Sequence, residues 1–93
     1  MIEDWNDPEF CLLEVRENPL NLEYVKEQSY EICLAAVKRD GLALRFVKEQ
    51  TFEICLEAIK ETGLALQYVK EQTPLIIHYL KKYHILLYTS FKT

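Results

Sequence analysis

The sequence predicts an all-α protein, a short α-solenoid of stacked 22-residue repeats that contain two helices each. The first observation is an internal repeat, because the segments 31–51 and 53–73 are identical at 15 of 21 positions. The second is a set of helix-capping side chains that recurs at the same interval. The third is the composition, since 49% of the residues are hydrophobic and 28% are charged, as in a folded globular protein. Self-similarity at a fixed period of this length is typical of stacked repeat units.

Two columns of capping residues predict where the helices begin. The first column, spaced by one repeat length, consists of Asp7, Ser29, Thr51 and Thr73. The second column consists of Asn18, Asp40 and Thr62, and it is followed by Pro19, Gly41 and Gly63. A glycine here would suit a left-handed helix end, but proline cannot adopt a positive φ. The structure shared by the copies is therefore a capping residue followed by a helix start.

These starts predict six helices of about nine or ten residues and a longer seventh. The predicted ranges are 8–17, 19–28, 30–39, 41–50, 52–61 and 63–72. In the last segment His84-Ile85 replaces the second helix-start signal, so the seventh helix would run from Pro74 to about Tyr88. The units would be about 8–29, 30–51 and 52–73, with a degenerate C-terminal cap at 74–93, in a single domain over 1–93.

Helices this short are marginal alone, so their apolar faces must be buried against neighbouring helices. In the first helix of each unit the expected buried residues are Ile32, Cys33, Ala36, Val37, Ile54, Cys55, Ala58 and Ile59. In the second helix they are Leu42, Ala43, Phe46, Val47, Leu64, Ala65, Tyr68 and Val69. Stacking would then bury a continuous core with nearest-neighbour contacts.

The repeat resembles a known family of short tandem helical repeats of unknown function from bacteria and large viruses. The resemblance covers about residues 8–80, and its core pattern is Ala-Val-x-x-x-Gly-x-Ala-Leu-x-Tyr. That pattern is carried by Ala36-Val37, Gly41, Ala43-Leu44 and Phe46, and by Ala58-Ile59, Gly63, Ala65-Leu66 and Tyr68. The first copy departs from it at Pro19 and Asn21. The resemblance implies helical repeats, suggests protein binding and supplies no catalytic residues.

The cysteines and histidines do not form a metal-binding pattern. Cys11, Cys33 and Cys55 occupy equivalent positions of successive repeats, and stacked helices lie too far apart for a disulfide between such positions. We expect them to be small core residues, with a redox role as the less favoured alternative. His78 and His84 do not share a helix face, and the segment 74–93 contains no acid, so we expect surface or capping histidines. We expect no metal and no cofactor.

Charge is distributed unevenly along the chain. Residues 1–31 carry nine acidic and two basic residues, whereas residues 74–93 carry three lysines and no acid. An acidic end can steer association with a basic protein surface, while direct nucleic-acid binding needs a basic surface. The sequence therefore predicts a protein partner with a basic surface and no direct nucleic-acid contact. The alternative is that these charges serve only to keep the protein soluble.

The candidate protein-binding positions lie at the acidic end, on ladders of repeated side chains and in a variable column. The ladder is the Lys-Glu-Gln run that recurs in each repeat. The variable column is a position at which the second copy has arginine and the third copy has glutamine. The candidates are Glu3, Asp4, Asp7, Glu9, Lys26, Lys48, Lys70, Arg45 and Gln67. The alternative is a solvated face whose glutamines finish helix ends and whose variable positions reflect neutral drift.

The C-terminal segment is apolar and aromatic. It would either fold back as a cap on the last unit or expose an apolar surface that forms a dimer. The residues concerned are Tyr79, Tyr83, Leu86 and Leu87. At the other end, Trp5 would cover the open side of the first unit.

The sequence contains no pattern typical of a catalytic triad, of paired buried carboxylates or of a glycine-rich phosphate loop. We therefore expect that the protein is not an enzyme. The functional hypothesis is a non-enzymatic protein-binding module, acting as a small adaptor or an inhibitor. One version is a virus- or mobile-element-encoded inhibitor of a nucleic-acid-handling enzyme. The alternative is a head-to-tail or dimeric self-assembling protein. Without a signal-peptide pattern or a run of about 18 apolar residues, we expect a complete cytoplasmic protein, monomeric or homodimeric, with no membrane contact.

Overall fold

The computed structural model describes residues 3–71 together with Pro74, His78 and Lys82. Residues 3–71 form six helices, and the described residues contain no strand. Three α-helices of ten residues are Pro8–Glu17 (α1), Tyr30–Arg39 (α2) and Phe52–Glu61 (α3). They alternate with three 3₁₀-helices of six residues, Pro19–Tyr24 (η1), Gly41–Phe46 (η2) and Gly63–Tyr68 (η3). The prediction of an all-helical protein is confirmed.

The α-helices begin and end where the sequence predicts. The side chains of Ser29 and Thr51 accept hydrogen bonds from the backbone N–H groups of Ile32 and Ile54, at 3.1 and 3.2 Å. Asp7 caps α1 in the same way, through the N–H of Glu9 at 3.0 Å. Each cap supplies a partner for an N–H group that has none within its helix.

The second element of each unit differs from the prediction. The capping pattern predicts α-helices over 19–28, 41–50 and 63–72. The structure instead has 3₁₀-helices that begin at the predicted residues and end earlier, at Tyr24, Phe46 and Tyr68. The 3₁₀-helix has three residues per turn, and the buried residues Gly41, Leu44 and Val47 are three apart. In the 3₁₀-helix this spacing aligns them along one face.

The second helix of each unit nevertheless begins directly after the predicted capping residue. The Asn18, Asp40 and Thr62 side chains accept hydrogen bonds from N–H groups two residues ahead, at 3.0 to 3.3 Å. No glycine among the described residues has a positive φ. The argument from Pro19 is therefore confirmed, since the column marks helix starts.

Equivalent elements of adjacent units pack on one another. Helix α2 contacts both α1 and α3, and η2 contacts both η1 and η3. Among the described helices, α1 and α3 share no contact. Each unit therefore packs against its immediate neighbours.

The core of the described residues is entirely apolar. All eight residues expected to be buried on α2 and α3 are buried. Four of the residues expected to be buried in the second helix of each unit are also buried, namely Ala43, Val47, Ala65 and Val69. Of the other residues expected to be buried, Leu42, Phe46 and Tyr68 are only half-buried and Leu64 is 65% exposed. Leu44, which was not expected to be buried, is fully buried. A 3₁₀-helix turns 120° per residue, so its inward face differs from that of an α-helix.

Gly41 lies where two backbones approach closely. Its N–H donates a hydrogen bond to Glu61 Oε1 at 2.6 Å. A Cβ atom at this position would lie 2.2 Å from the carbonyl oxygen of Ala58 in α3. The close approach of η2 to the end of α3, and not a positive φ, therefore requires glycine here.

Candidate functional site

The glutamines of the Lys-Glu-Gln run bridge adjacent units. The Gln28 Nε2 group donates to the Phe46 carbonyl oxygen at 2.8 Å, and its Oε1 accepts from the Lys48 N–H at 2.9 Å. Gln50 makes the same pair of bonds to the third unit, at 2.9 Å each. Gln28 Nε2 also approaches the carbonyl oxygens of Leu22 and Val25, at 3.5 and 3.4 Å. These amides finish one 3₁₀-helix and join it to the next.

The lysine ladder lies beside these bridges. Lys26, Lys48 and Lys70 are exposed, as a binding ridge requires. The Lys48 Nζ donates to the Lys26 carbonyl oxygen at 2.8 Å, and the Lys70 Nζ donates to the Val47 carbonyl oxygen at 3.1 Å. Two ammonium groups of the ladder therefore already bind the preceding unit, which reduces what they can offer to a partner.

The variable column lies beside a set of aromatic residues. The Arg45 guanidinium carbon lies 4.8 Å from the ring centroid of Phe46 and 5.8 Å from that of Tyr68. These distances place the cation over two aromatic faces. Gln67, at the next position of the column, donates from Nε2 to the Leu64 carbonyl oxygen at 3.0 Å.

The acidic end forms a pocket with aromatic walls. Trp5 and Tyr24 have ring centroids 5.4 Å apart with planes inclined by 41°, and Trp5 also packs edge-on against Phe10 at 5.0 Å. The pocket beside the Trp5–Tyr24 pair has a volume of 450 Å³ and is lined by Glu3, Asp4 and Glu23 among others. We call these five residues, Glu3, Asp4, Trp5, Glu23 and Tyr24, the acidic–aromatic pocket.

The structure divides the four predicted acids into two groups. Glu3 and Asp4 belong to the acidic–aromatic pocket. Asp7 instead caps α1, and Glu9, whose N–H it binds, lies exposed in the first turn of that helix. A negative charge at a helix N-terminus stabilises the helix, so Asp7 and Glu9 also have a local structural role.

Glu23 and Tyr24 are functional candidates that the sequence argument missed. The Glu23 carboxylate raises the pKa of Tyr24, first by hydrogen bonding to the neutral hydroxyl and second by its negative charge. The signal was available, because Glu23 lies one repeat before Arg45 in the same variable column. The first copy of the repeat, which matches the other two less well, thus carries an acid in this column.

The three cysteines are free and buried, as expected of core residues. Burial raises the pKa of Cys33 and of Cys55 to about 11, and burial followed by the charges of Asp7 and Asp4 raises that of Cys11. The Cys33 thiol donates to Gln28 Oε1 at 3.4 Å, so it belongs to the bridge between units.

We expect Cys33 and Cys55 to react slowly with iodoacetamide. A rise in pKa from 9.0 to about 11 lowers the thiolate fraction at pH 8 by about 100-fold, and the thiolate is the nucleophile. The measurement is the alkylation rate, followed by mass spectrometry, in the native protein and in urea. Equal rates in the two conditions would contradict the described burial.

The structure describes only some of the predicted positions in the C-terminal segment. His78 is helical and exposed, as are Pro74 and Lys82 in the predicted seventh helix. His84 and the proposed cap or dimer residues Tyr79, Tyr83, Leu86 and Leu87 lie outside the described residues. In the described part of the chain, no three His, Cys, Asp or Glu side chains cluster as metal ligands. None of its helices combines the length and the apolar character needed to cross a membrane.

Comparison with known proteins identifies one family. Residues 29–83, more than half of the chain, match a family described as a domain of unknown function, DUF4116. No curated protein and no solved structure matches the chain significantly.

Proposed function

The chain belongs to the DUF4116 family of domains of unknown function, and from that premise we propose that it is a non-enzymatic protein-binding module. In this proposal the repeats form a short α-solenoid that occupies a basic surface of a partner protein. It would act as a small adaptor or as an inhibitor.

The observation that carries the proposal is the acidic–aromatic pocket. It combines three carboxylates with two aromatic rings, one of them the 53% exposed Tyr24. Aromatic residues are enriched at protein interfaces, and complementary charge accelerates encounter with the correct partner. An exposed concave surface with both properties suits a basic protein surface.

The bridges between units support the same proposal. Each described bridge binds a backbone N–H and a backbone carbonyl of the following unit through a single amide. Side-chain bonds of this kind restrict movement of one unit against the next. A surface that is already ordered loses less conformational entropy when it binds.

The inhibitor version has a specific electrostatic basis. Enzymes that handle nucleic acids bind phosphates with basic surfaces, and an acidic protein can occupy such a surface in place of the nucleic acid. Residues 1–31, with nine acids against two bases, have the charge this requires.

The test compares two variants with the same change in net charge. The first reverses three acids at the acidic end, Glu3→Lys, Asp4→Lys and Glu9→Lys. Asp7 is left unchanged because it caps α1. The control reverses three exposed glutamates of the Lys-Glu-Gln run, at Glu27, Glu49 and Glu71.

The measurement is affinity purification from a lysate of the encoding organism with quantitative mass spectrometry, followed by affinities for the purified partner at about 50 and 300 mM salt. We expect a partner with a basic surface whose affinity falls about tenfold in the first variant, falls with salt, and changes little in the control. Equal losses in both variants, or no partner at low salt, would refute the proposal. Concentration-dependent sedimentation without a partner would instead favour self-assembly.

A further inference from the structure

The chain already binds one guanidinium group on an aromatic surface of its own. Arg45 lies over the rings of Phe46 and Tyr68, which occupy equivalent positions of successive repeats. Tyr24 is the preceding member of this column, and Trp5 packs against it at 5.4 Å. The Trp5–Tyr24 pair is thus a second aromatic surface at the end of the same column.

At this second surface the position equivalent to Arg45 carries the opposite charge. Glu23 stands in the column of Arg45 and Gln67, and it lines the pocket next to Tyr24. Glu3 and Asp4, from the N-terminal segment, line the same pocket. Three carboxylates therefore surround an aromatic pair that has no arginine of its own.

The described residues make no ion pair with these carboxylates. Lys26 lines the pocket, but no basic side chain in the described part of the chain lies within ion-pair distance of Glu3, Asp4 or Glu23. The pocket volume of 450 Å³ leaves space for a side chain from outside. Charge complementarity therefore indicates a cationic occupant.

We propose that the acidic–aromatic pocket binds an arginine side chain of a partner protein. The guanidinium would stack on the rings of Trp5 and Tyr24, and its N–H groups would donate to the carboxylates around them. The inference rests on the proposed function and deepens it by naming the group that is recognised.

Arginine fits this pocket better than lysine for two physical reasons. A guanidinium is planar, so it can stack on an aromatic face while its edge remains available for hydrogen bonds. Its five N–H groups can also serve more than one carboxylate, whereas an ammonium is a compact charge that is strongly hydrated. Within this chain, the guanidinium carbon of Arg45 lies over the Phe46 ring, 4.8 Å from its centroid.

The test uses a short peptide, acetyl-Gly-Arg-Gly-amide, and its citrulline counterpart, which has the same shape without the charge. Trp5 is the only tryptophan, so its fluorescence reports directly on the pocket. We expect the arginine peptide to bind with a dissociation constant on the order of 1 mM. The citrulline peptide should bind at least about fivefold more weakly, and the lysine peptide should lie between them.

Three variants separate recognition from folding. Neutralising the pocket with Glu3→Gln, Asp4→Asn and Glu23→Gln should weaken arginine binding at least about fivefold, since it removes the charged acceptors. Neutralising Glu27, Glu49 and Glu71 to glutamine removes the same charge elsewhere and should leave binding unchanged. Tyr24→Phe keeps the ring and should retain most of the binding, because the ring face and not the hydroxyl makes the contact.

The outcomes distinguish this inference from the proposed function. Equal binding of the arginine and citrulline peptides, or unchanged binding in the neutralised pocket, would overturn the arginine site. The proposed function would survive that result if the charge-reversed variant still lost its protein partner. Conversely, arginine-selective binding at Trp5 supports the pocket even if the partner experiment fails.

Discussion

Replacing Gly41 by alanine is expected to destabilise the protein by about 3 kcal/mol, because the new methyl group collides with backbone atoms. The added Cβ would lie 2.2 Å from the Ala58 carbonyl oxygen and 2.9 Å from Thr62 Cγ2. Backbone cannot rotate away as a side chain can, so η2 and α3 would have to separate. That separation would also strain the hydrogen bond from the Gly41 N–H to Glu61.

The measurement is urea unfolding followed by far-UV circular dichroism, with the midpoint compared at constant slope. Ser29→Thr is the matched control, since it also adds one methyl group at a helix start. Thr51 fills the equivalent position with nearly the same backbone angles, so this control should change stability by less than about 0.5 kcal/mol. If Gly41→Ala were as stable as the control, the close approach of η2 and α3 would be wrong.

Replacing Gln28 by methionine is expected to cost about 2 to 3 kcal/mol, because it leaves backbone groups without hydrogen-bond partners. Methionine has a similar length but cannot donate to the Phe46 carbonyl oxygen or accept from the Lys48 N–H. Both partners belong to the second unit, so the loss should loosen the contact between units. Partial access of water to this half-buried side chain keeps the estimate moderate.

Gln67→Met is the control for this prediction. The Gln67 amide is exposed and donates only locally, to the Leu64 carbonyl oxygen at 3.0 Å. We expect a change of less than about 0.5 kcal/mol in the free energy of unfolding. Native-state hydrogen exchange adds a site-specific measurement, because the Lys48 amide should lose protection in Gln28→Met and keep it in the control. Equal protection in both variants would contradict the bridge.

The sequence predicted the first helix of each described unit to the residue, since short-range chemistry determines where those helices begin and end. A serine, threonine or aspartate side chain binds an N–H only two or three residues ahead, so the caps can be identified from local spacing. The buried residues Ile32, Cys33, Ala36 and Val37 follow the α-helical period and were found by it.

The second element of each unit was predicted to be an α-helix and is a 3₁₀-helix, because its apolar residues fit the periods of both helix types. An α-helix would place Leu42, Ala43, Phe46 and Val47 on one apolar face. The spacing of three residues between Gly41, Leu44 and Val47 fits the period of a 3₁₀-helix. Contacts from outside the element accompany the 3₁₀ form of η2: Gln28 binds its end from the preceding unit, and α3 approaches its start at Gly41. Neither contact can be derived from a window of a few residues.

The same distinction applies to the candidate site. The acidic character of the first third of the chain was evident from composition, and Glu3 and Asp4 were named from it. Their union with Glu23, Tyr24 and Trp5 was not evident, because it depends on how the N-terminal segment packs against η1. The lysine ladder shows the converse, since its regular spacing suggested a free ridge while two of its ammonium groups bind backbone carbonyls.

By itself, the sequence determined the repeat length, the helical class, the helix starts and the apolar residues of the α-helices, since each depends on bonds and periods within a few residues. Only the tertiary structure decided that the second elements are 3₁₀-helices, that the repeated glutamines join the units, and that an aromatic pair and three carboxylates share one pocket. The physical reason is that these features arise from contacts between residues far apart in the chain, whose geometry exists only after the units have packed.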